Sequence, residues 1–229
     1  KNIKKKVQQF KKNGFVVINF FSKKEIYKIQ SAILKKINIT AKNSNKISLL
    51  SKIHKKKLSE EEYFNIINPA KRYIDVRVLG NSFKKKINFF LKEYWKTSGY
   101  EIYWIGSLKK NEIKKNKIGY RIVRPEKIQD SGVEHTDSYS SNHESFLTVW
   151  VPIVGVSKKY TLRYAPGSHL FDHPKNQQAK QSKYNSKKLK KSYVKRFKFV
   201  RPEMKIGNVA IHHPNTIHGG SKNGGSLTR

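Results

Sequence analysis

Phe146-Leu147-Thr148-Val149-Trp150-Val151-Pro152-Ile153-Val154 is the stretch on which the fold turns. It is uncharged and rich in β-branched and aromatic side chains, with proline near its end, and it reads as a buried strand. Working outward, Tyr100–Ile105, Ile118–Val123, Tyr160–Tyr164, Phe197–Val200 and Asn208–His212 share that character. Pro125, Pro152, Pro166-Gly167, Pro202, Gly207 and Pro214 punctuate them. Short strands at close spacing point to a sandwich or jelly roll rather than alternating βα units.

The N-terminal part has a different period. Ile3, Val7 and Phe10 share one helical face, and Gly14 stands where such a helix stops. Phe15–Phe21 is a compact apolar run that reads as a strand. Ser22 with Glu25, and Ser59 with Glu62, form capping-box patterns. Ile26, Ile29, Ile33 and Ile37 then trace a helical stripe, as do Phe83, Ile87, Phe90, Leu91 and Tyr94. Residues 1–96 are therefore expected to be a mainly helical flank with one strand, and residues 100–229 the β core. Residues 172–196, with almost nothing apolar, are expected to be a flexible lid loop.

The chain of 229 residues suits a single domain. It has no cysteine, which removes disulfides and thiolate metal sites. No apolar run approaches the roughly 20 residues of a membrane span, and no hydrophobic stretch follows the Lys-rich first residues. A cytoplasmic globular protein is the expectation. The net charge is +35, with 50 Lys and Arg against 15 acidic residues, and only eight of the 50 are Arg. Nucleic-acid readers favour Arg for its planar fork, so the Lys excess reads first as compositional bias on a solvated surface. Its other reading is attraction of an anionic partner, whether a phosphorylated small-molecule substrate, a carrier-bound substrate or nucleic acid. No nucleic-acid motif accompanies the charge. Two windows contain neither Lys nor Arg: Ile128–Ser157 and Ile206–Ser221. Buried strands would exclude Lys from both.

Those two windows carry the chemistry. In an extended strand His135 and Asp137 point to one face and can grip one metal. A distant histidine completes a two-His-one-carboxylate facial triad with open positions for substrate and O2. His218, in Ile217-His218-Gly219-Gly220, is that candidate. His212 and His213 precede Pro214 and read as structural, with His212 the competing ligand. His169 reads as ordering its turn, His54 and His173 as solvated among Lys, and His143 as either surface or substrate-facing. Arg229, eleven residues past His218, is either a surface cation or the bidentate partner of a dicarboxylic cosubstrate. Tyr120, Arg121 and Arg124 lie just before the metal strand. One of them is expected to face the pocket, where an arginine would meet an anion, and alternation prevents Tyr120 and Arg121 from both pointing inward.

In order along the chain, Phe10 to Ile18 (F-x-x-x-G-F-V-V-I), His135-Thr136-Asp137-Ser138-Tyr139, Trp150 within Thr148–Ile153, Ala165-Pro166-Gly167-Ser168-His169, and Gly207 to Pro214 followed by His218-Gly219-Gly220 and Arg229 resemble the phytanoyl-CoA dioxygenase family of iron(II)/2-oxoglutarate oxygenases. The resemblance implies a double-stranded β-helix, or jelly roll, with helices packed outside. It implies iron(II) on His135, Asp137 and His218. It also implies 2-oxoglutarate held through Arg229, with Trp150 and Arg121 as further candidates at the cosubstrate site. The reaction it implies consumes O2, releases succinate and CO2, and hydroxylates a substrate; Asp137 speaks against halogenation, which needs a small residue there. Gly220 departs from the family, where serine is frequent two residues after the second metal histidine. A jelly-roll binding protein without turnover and a basic nucleic-acid-binding protein are the alternatives from other classes.

Overall fold

A computed structural model describes residues 2–41, 49–55, 58–68, 71–97, 99–105, 113–127, 130–140, 146–155, 157, 161–173, 178–179, 188–220 and 223–229. The helical flank forms where its period and caps place it. Helix α1 (Asn2–Asn13) buries Val7 and Phe10. Helix α2 (Lys23–Ala41) buries Ile26, Ile29, Ile33 and Ile37. Ser22 N–H donates to the Glu25 carboxylate at 2.7 Å, the reciprocal bond that starts this helix. Helix α3 (Glu60–Ile67) opens on a full capping box of Ser59 and Glu62. Helix α4 (Gly80–Trp95) buries Phe83, Ile87, Phe90 and Leu91. Phe10 meets Phe90 edge-on at 5.4 Å and Tyr94 at 4.9 Å, so α1 and α4 share one apolar core. Truncating a ring such as Phe10, fully buried, would cost about 3–5 kcal/mol.

The β part is built from short pieces. Strand β1 (Phe15–Asn19) pairs antiparallel with β10 (Asn208–His212), which pairs on its other edge with β6 (Thr148–Trp150). The remaining described strands form two-stranded pairs: β2 (Tyr73–Asp75) with β5 (Lys117–Gly119), β3 (Tyr103–Ile105) with β4 (Ile113–Lys115), β7 (Arg163–Tyr164) with β11 (His218–Gly219), and β8 (Gln178–Ala179) with β9 (Lys188–Leu189). Among the described residues the architecture is therefore N-terminal helices packed on a β-sheet core.

Gly14 ties the two parts together. It sits at φ +77, a left-handed conformation that releases α1 without the strain a side chain would bring. Its carbonyl accepts from His213 N–H at 2.8 Å and from the Thr216 hydroxyl at 2.8 Å. The first helix end is thus bonded to the turn that precedes His218.

The segment 172–196 is only partly a loop of the expected kind. Its end forms β9 and a short helix, α5 (Lys191–Val194). Leu189 and Tyr193 are buried against Ala165 and Ile217, and Leu189 N–H donates to Glu134 O at 2.9 Å. Residues 174–177 and 180–187 of the expected lid, and His143, lie outside the described residues. His173 is buried rather than solvated, bonded to the Tyr193 hydroxyl at 2.8 Å and to Asn215 O at 2.9 Å.

Candidate metal centre

His218 lies between two backbone partners. On one side β11 pairs it with Tyr164; on the other it bridges His135, whose N–H donates to His218 O at 2.9 Å while His218 N–H donates back at 3.0 Å. The two rings are 4.4 Å apart between centroids. Asp137 does not continue an extended strand. It opens a 3-10 turn, Asp137–Ser140, and Ser138 N–H holds that turn to Pro214 O at 3.1 Å. His135 and Asp137 therefore converge through a bend in the backbone and not, as expected, through the shared face of an extended strand. The bend after His135, fixed by the Pro214 turn, aims the carboxylate.

The donor atoms converge. His135 Nε2 lies 3.6 Å and His218 Nε2 3.7 Å from Asp137 Oδ1. All three ligand atoms fall within 4.8 Å of one another. Ligands at right angles around an ion about 2.1 Å away stand about 3 Å apart, so the carboxylate oxygen has to close on each histidine by roughly two-thirds of an ångström as the ion binds. His135 Nδ1 donates to Val133 O at 2.6 Å and His218 Nδ1 to Thr216 O at 2.9 Å. A carbonyl only accepts, so both protons sit on Nδ1 and both Nε2 lone pairs point inward.

Charge agrees with geometry. Burial, then the neighbouring imidazoles, lower the pKa of His135 and of His218 to about 4, so both are neutral at neutral pH. Burial alone would raise the Asp137 carboxyl. His218, the His212 hydrogen bond and His135 together outweigh it and hold the group far below the usual carboxylate range. Two neutral imidazoles and one carboxylate on one face are the donor set of a facial iron(II) site.

A second layer, not foreseen as such from the sequence, orients the carboxylate. Asp137 Oδ2 accepts from the Thr148 hydroxyl at 2.6 Å and from His212 Nε2 at 3.0 Å, leaving Oδ1 to face the histidines. His212, 1% exposed, is thus neither a mere turn residue nor part of the ligand group. Its Nδ1 takes a long bond from the Tyr164 hydroxyl at 3.4 Å. Burial, and then the Asp137 charge, push that hydroxyl's pKa up, so it remains a donor. Thr148 lies in the apolar stretch quoted first. A polar side chain two residues from Trp150, on the same face of the strand, was the available signal. Outside the site, Glu134 pairs with Arg163 and flanks His135.

The arginines separate. Tyr120 is buried in the main core. Arg124 grips Asp130 through Nε at 2.8 Å and Nη2 at 3.0 Å and covers the Tyr63 ring at 3.4 Å. Arg121 turns toward the triad, over Gly132. Arg229 pairs its backbone with Val123 at 2.8 and 3.1 Å and sends Nη2 to Ser131 Oγ at 3.4 Å. A Cβ at Gly220 would stand 3.5 Å from Ser131 Cβ, so Ser131 supplies a hydroxyl beside the position that lacks the frequent serine. Trp150 packs with Phe15, Tyr164, Met204 and Ala210. His169 Nε2 bonds Lys11 O at 3.0 Å, and its ring faces His213 at 5.4 Å. His54 Nδ1 lies 2.7 Å from the Thr228 hydroxyl.

Known proteins can be set beside this geometry. No curated protein sequence matches the chain. The solved structure of the epimerase SnoN in complex with Fe3+, alpha ketoglutarate and nogalamycin RO aligns with TM-score 0.58 and 13% identity, over 100% of this chain and 80% of that one. EctD from S. alaskensis in its apoform aligns with TM-score 0.55 and 16% identity, over 98% and 73%. EvdO2 from Micromonospora carbonacea var. aurantiaca, complexed with 2-oxoglutarate, aligns with TM-score 0.57 and 11% identity, over 98% and 86%. At these identities the likeness concerns the fold. The family model described as phytanoyl-CoA dioxygenase (PhyH) matches residues 10–229, nearly the whole chain and all three triad residues, and the chain belongs to that family.

Proposed function

We propose that this protein, an iron(II)- and 2-oxoglutarate-dependent oxygenase by its family and its triad, hydroxylates an organic substrate. The observation that carries the reading is the convergence of His135 Nε2, His218 Nε2 and Asp137 Oδ1 on one point. Both Nδ1 protons are tied to carbonyls. Iron(II) bound there supplies O2 activation coupled to decarboxylation of 2-oxoglutarate, a reaction that side chains alone do not perform. The chain's own part is to hold, orient and neutralise. His135 and His218 present fixed tautomers. Thr148 and His212 hold Asp137 Oδ2 so that one oxygen faces the ion.

Arg229 is assigned the far carboxylate of 2-oxoglutarate, which a guanidinium fork grips bidentately. Its anchored backbone and its approach to the Ser131 hydroxyl support the role. Trp150, on the same strand face as Thr148, is assigned the apolar wall of that cosubstrate pocket. The short strands are read as parts of a jelly roll, supported by the ladder of Tyr164, His218 and His135 beside the three-stranded sheet. No helix among the described residues is long and apolar enough to cross a membrane, and the substrate is taken to be a small or carrier-linked metabolite.

The test is anaerobic addition of iron(II) and 2-oxoglutarate, followed by O2. A weak visible charge-transfer band and then iron-dependent succinate are expected. A protein that forms neither would refute the reading.

A further inference from the structure

Two arginines approach the centre from either side of Ser131-Gly132. Arg229 reaches Ser131. Arg121 lies over Gly132: a Cβ there would stand 2.6 Å from Arg121 Nη1 and 3.5 Å from Cε1 of His135. The Arg121 guanidinium and a metal ligand therefore sit side by side above a residue that has no side chain to separate them. Arg121 itself stays exposed, so its guanidinium is accessible to a ligand that enters beside the metal centre.

The acidic groups that act on Arg121 are already engaged. Asp137 has Oδ1 turned to His135 and His218, and Oδ2 to Thr148 and His212. Asp130 is held by Arg124 through both oxygens and by the Tyr63 hydroxyl at 2.8 Å. Among the described residues, no hydrogen bond or ion pair reaches the Arg121 guanidinium. Arg72 adds positive charge nearby, close enough for the two cations to oppose each other. A guanidinium so placed gains a charge-assisted, two-point hydrogen bond from an incoming oxyanion.

We propose that Arg121 binds an oxyanion of the organic substrate, a carboxylate or a phosphate, and so places that substrate beside the metal. The inference rests on the oxygenase reading above. There the cosubstrate's two carboxylates belong to the metal and to Arg229, which leaves none for Arg121. Iron(II), Asp137, doubly charged 2-oxoglutarate and the two guanidiniums together leave one positive charge over, and a singly charged substrate cancels it. The surplus favours an anionic substrate over a neutral or cationic one.

Calorimetric titration tests this, using protein loaded anaerobically with iron(II) and saturated with 2-oxoglutarate. Inorganic phosphate and acetate are the probes, in separate runs, and the tighter of the two identifies the oxyanion. Arg121→Gln should weaken the binding roughly tenfold or more, while 2-oxoglutarate affinity, read from the chelate band, stays unchanged. Gly132→Ala should act in the same direction. Its Cβ displaces the far end of Arg121 but meets His135 at ordinary contact distance, so it also serves if Arg121→Gln fails to fold. Three results overturn the assignment: wild type that binds neither probe, variants that bind the probe as wild type does, or variants that lose 2-oxoglutarate affinity instead. If wild type forms no iron–2-oxoglutarate chelate, the oxygenase reading itself has failed. The same titration on metal-free protein then still reads Arg121 separately.

Discussion

His212→Phe tests how the metal carboxylate is held. The substitution removes the Nε2 donor 3.0 Å from Asp137 Oδ2 and leaves the Thr148 hydroxyl as the other donor to that oxygen. A hydrogen bond to a charged group is worth about 1.5–3 kcal/mol, but much of it disappears equally from the metal-free and metal-loaded states. The remaining difference is orientational. With one donor gone the carboxylate can rotate, and fixing it on the ion costs binding free energy. Loss of such an outer partner typically weakens a metal site about 10–100-fold, or about 1.4–2.8 kcal/mol. Phenylalanine is a ring of similar size and can fill the same place beside Tyr164 and His218, whose rings meet that of His212 at a tilt. The metal-free protein should therefore still fold, with its melting temperature lowered by about 3–12 °C for the lost hydrogen bond. Competition against a chelator, run anaerobically with iron(II), measures the affinity. One ion per chain should still bind at saturation. An unchanged affinity would show that His212 does not orient Asp137. A site that stays metal-free at saturating iron would make His212 a ligand and the triad wrong. Thr148→Val should give a similar loss, and the double variant less than the sum, because both act on one oxygen.

His135→Ala, Asp137→Ala and His218→Ala should each abolish iron binding, measured as metal content after anaerobic loading, since the three ligand atoms form a single group. Arg229→Ala should raise the dissociation constant for 2-oxoglutarate by about a hundredfold or more, on the scale of 3–5 kcal/mol for stripping a buried charge of its partner; Arg229→Lys should recover only part, and unchanged chelate-band titrations would remove Arg229 from the cosubstrate site. Gly14→Ala combines a left-handed backbone with a Cβ 2.5 Å from His169 Nδ1. It should cost roughly 2 kcal/mol or more and lower the melting temperature by at least about 4 °C; an unchanged melt would mean that this corner relaxes freely. His169, His173 and His213 have pKa values lowered from 6.5 chiefly by burial. The folded state therefore binds fewer protons than the unfolded one, so stability is full above pH 6.5 and declines as the pH falls below it. Melting curves should show that decline, and His213→Asn should flatten it.

The helical flank was legible because its signals are local. Ser59 and Glu62 lie three residues apart and form their capping box without help from the rest of the chain. The Ile26 to Ile37 stripe follows from the helical period alone, and every member is buried. The β core was legible in character more than in extent. The apolar stretch Phe146–Val154 contributes only Thr148–Trp150 to the ladder, because strand length depends on where a partner strand stops.

His135, Asp137 and His218 could be named from residue type and order, since few other residues can hold iron and these stand in windows free of Lys and Arg. The sequence by itself thus determined the ligands, the helices and the class of chemistry. Only the tertiary structure decided that Asp137 opens a turn, that His212 and Thr148 share its second oxygen, and that Arg121, rather than Tyr120 or Arg124, leans over the metal site. Those facts arise where segments as distant as residues 121, 132, 148 and 212 cross. Spacing along the chain carries no record of such crossings, which are set by how buried surfaces pack.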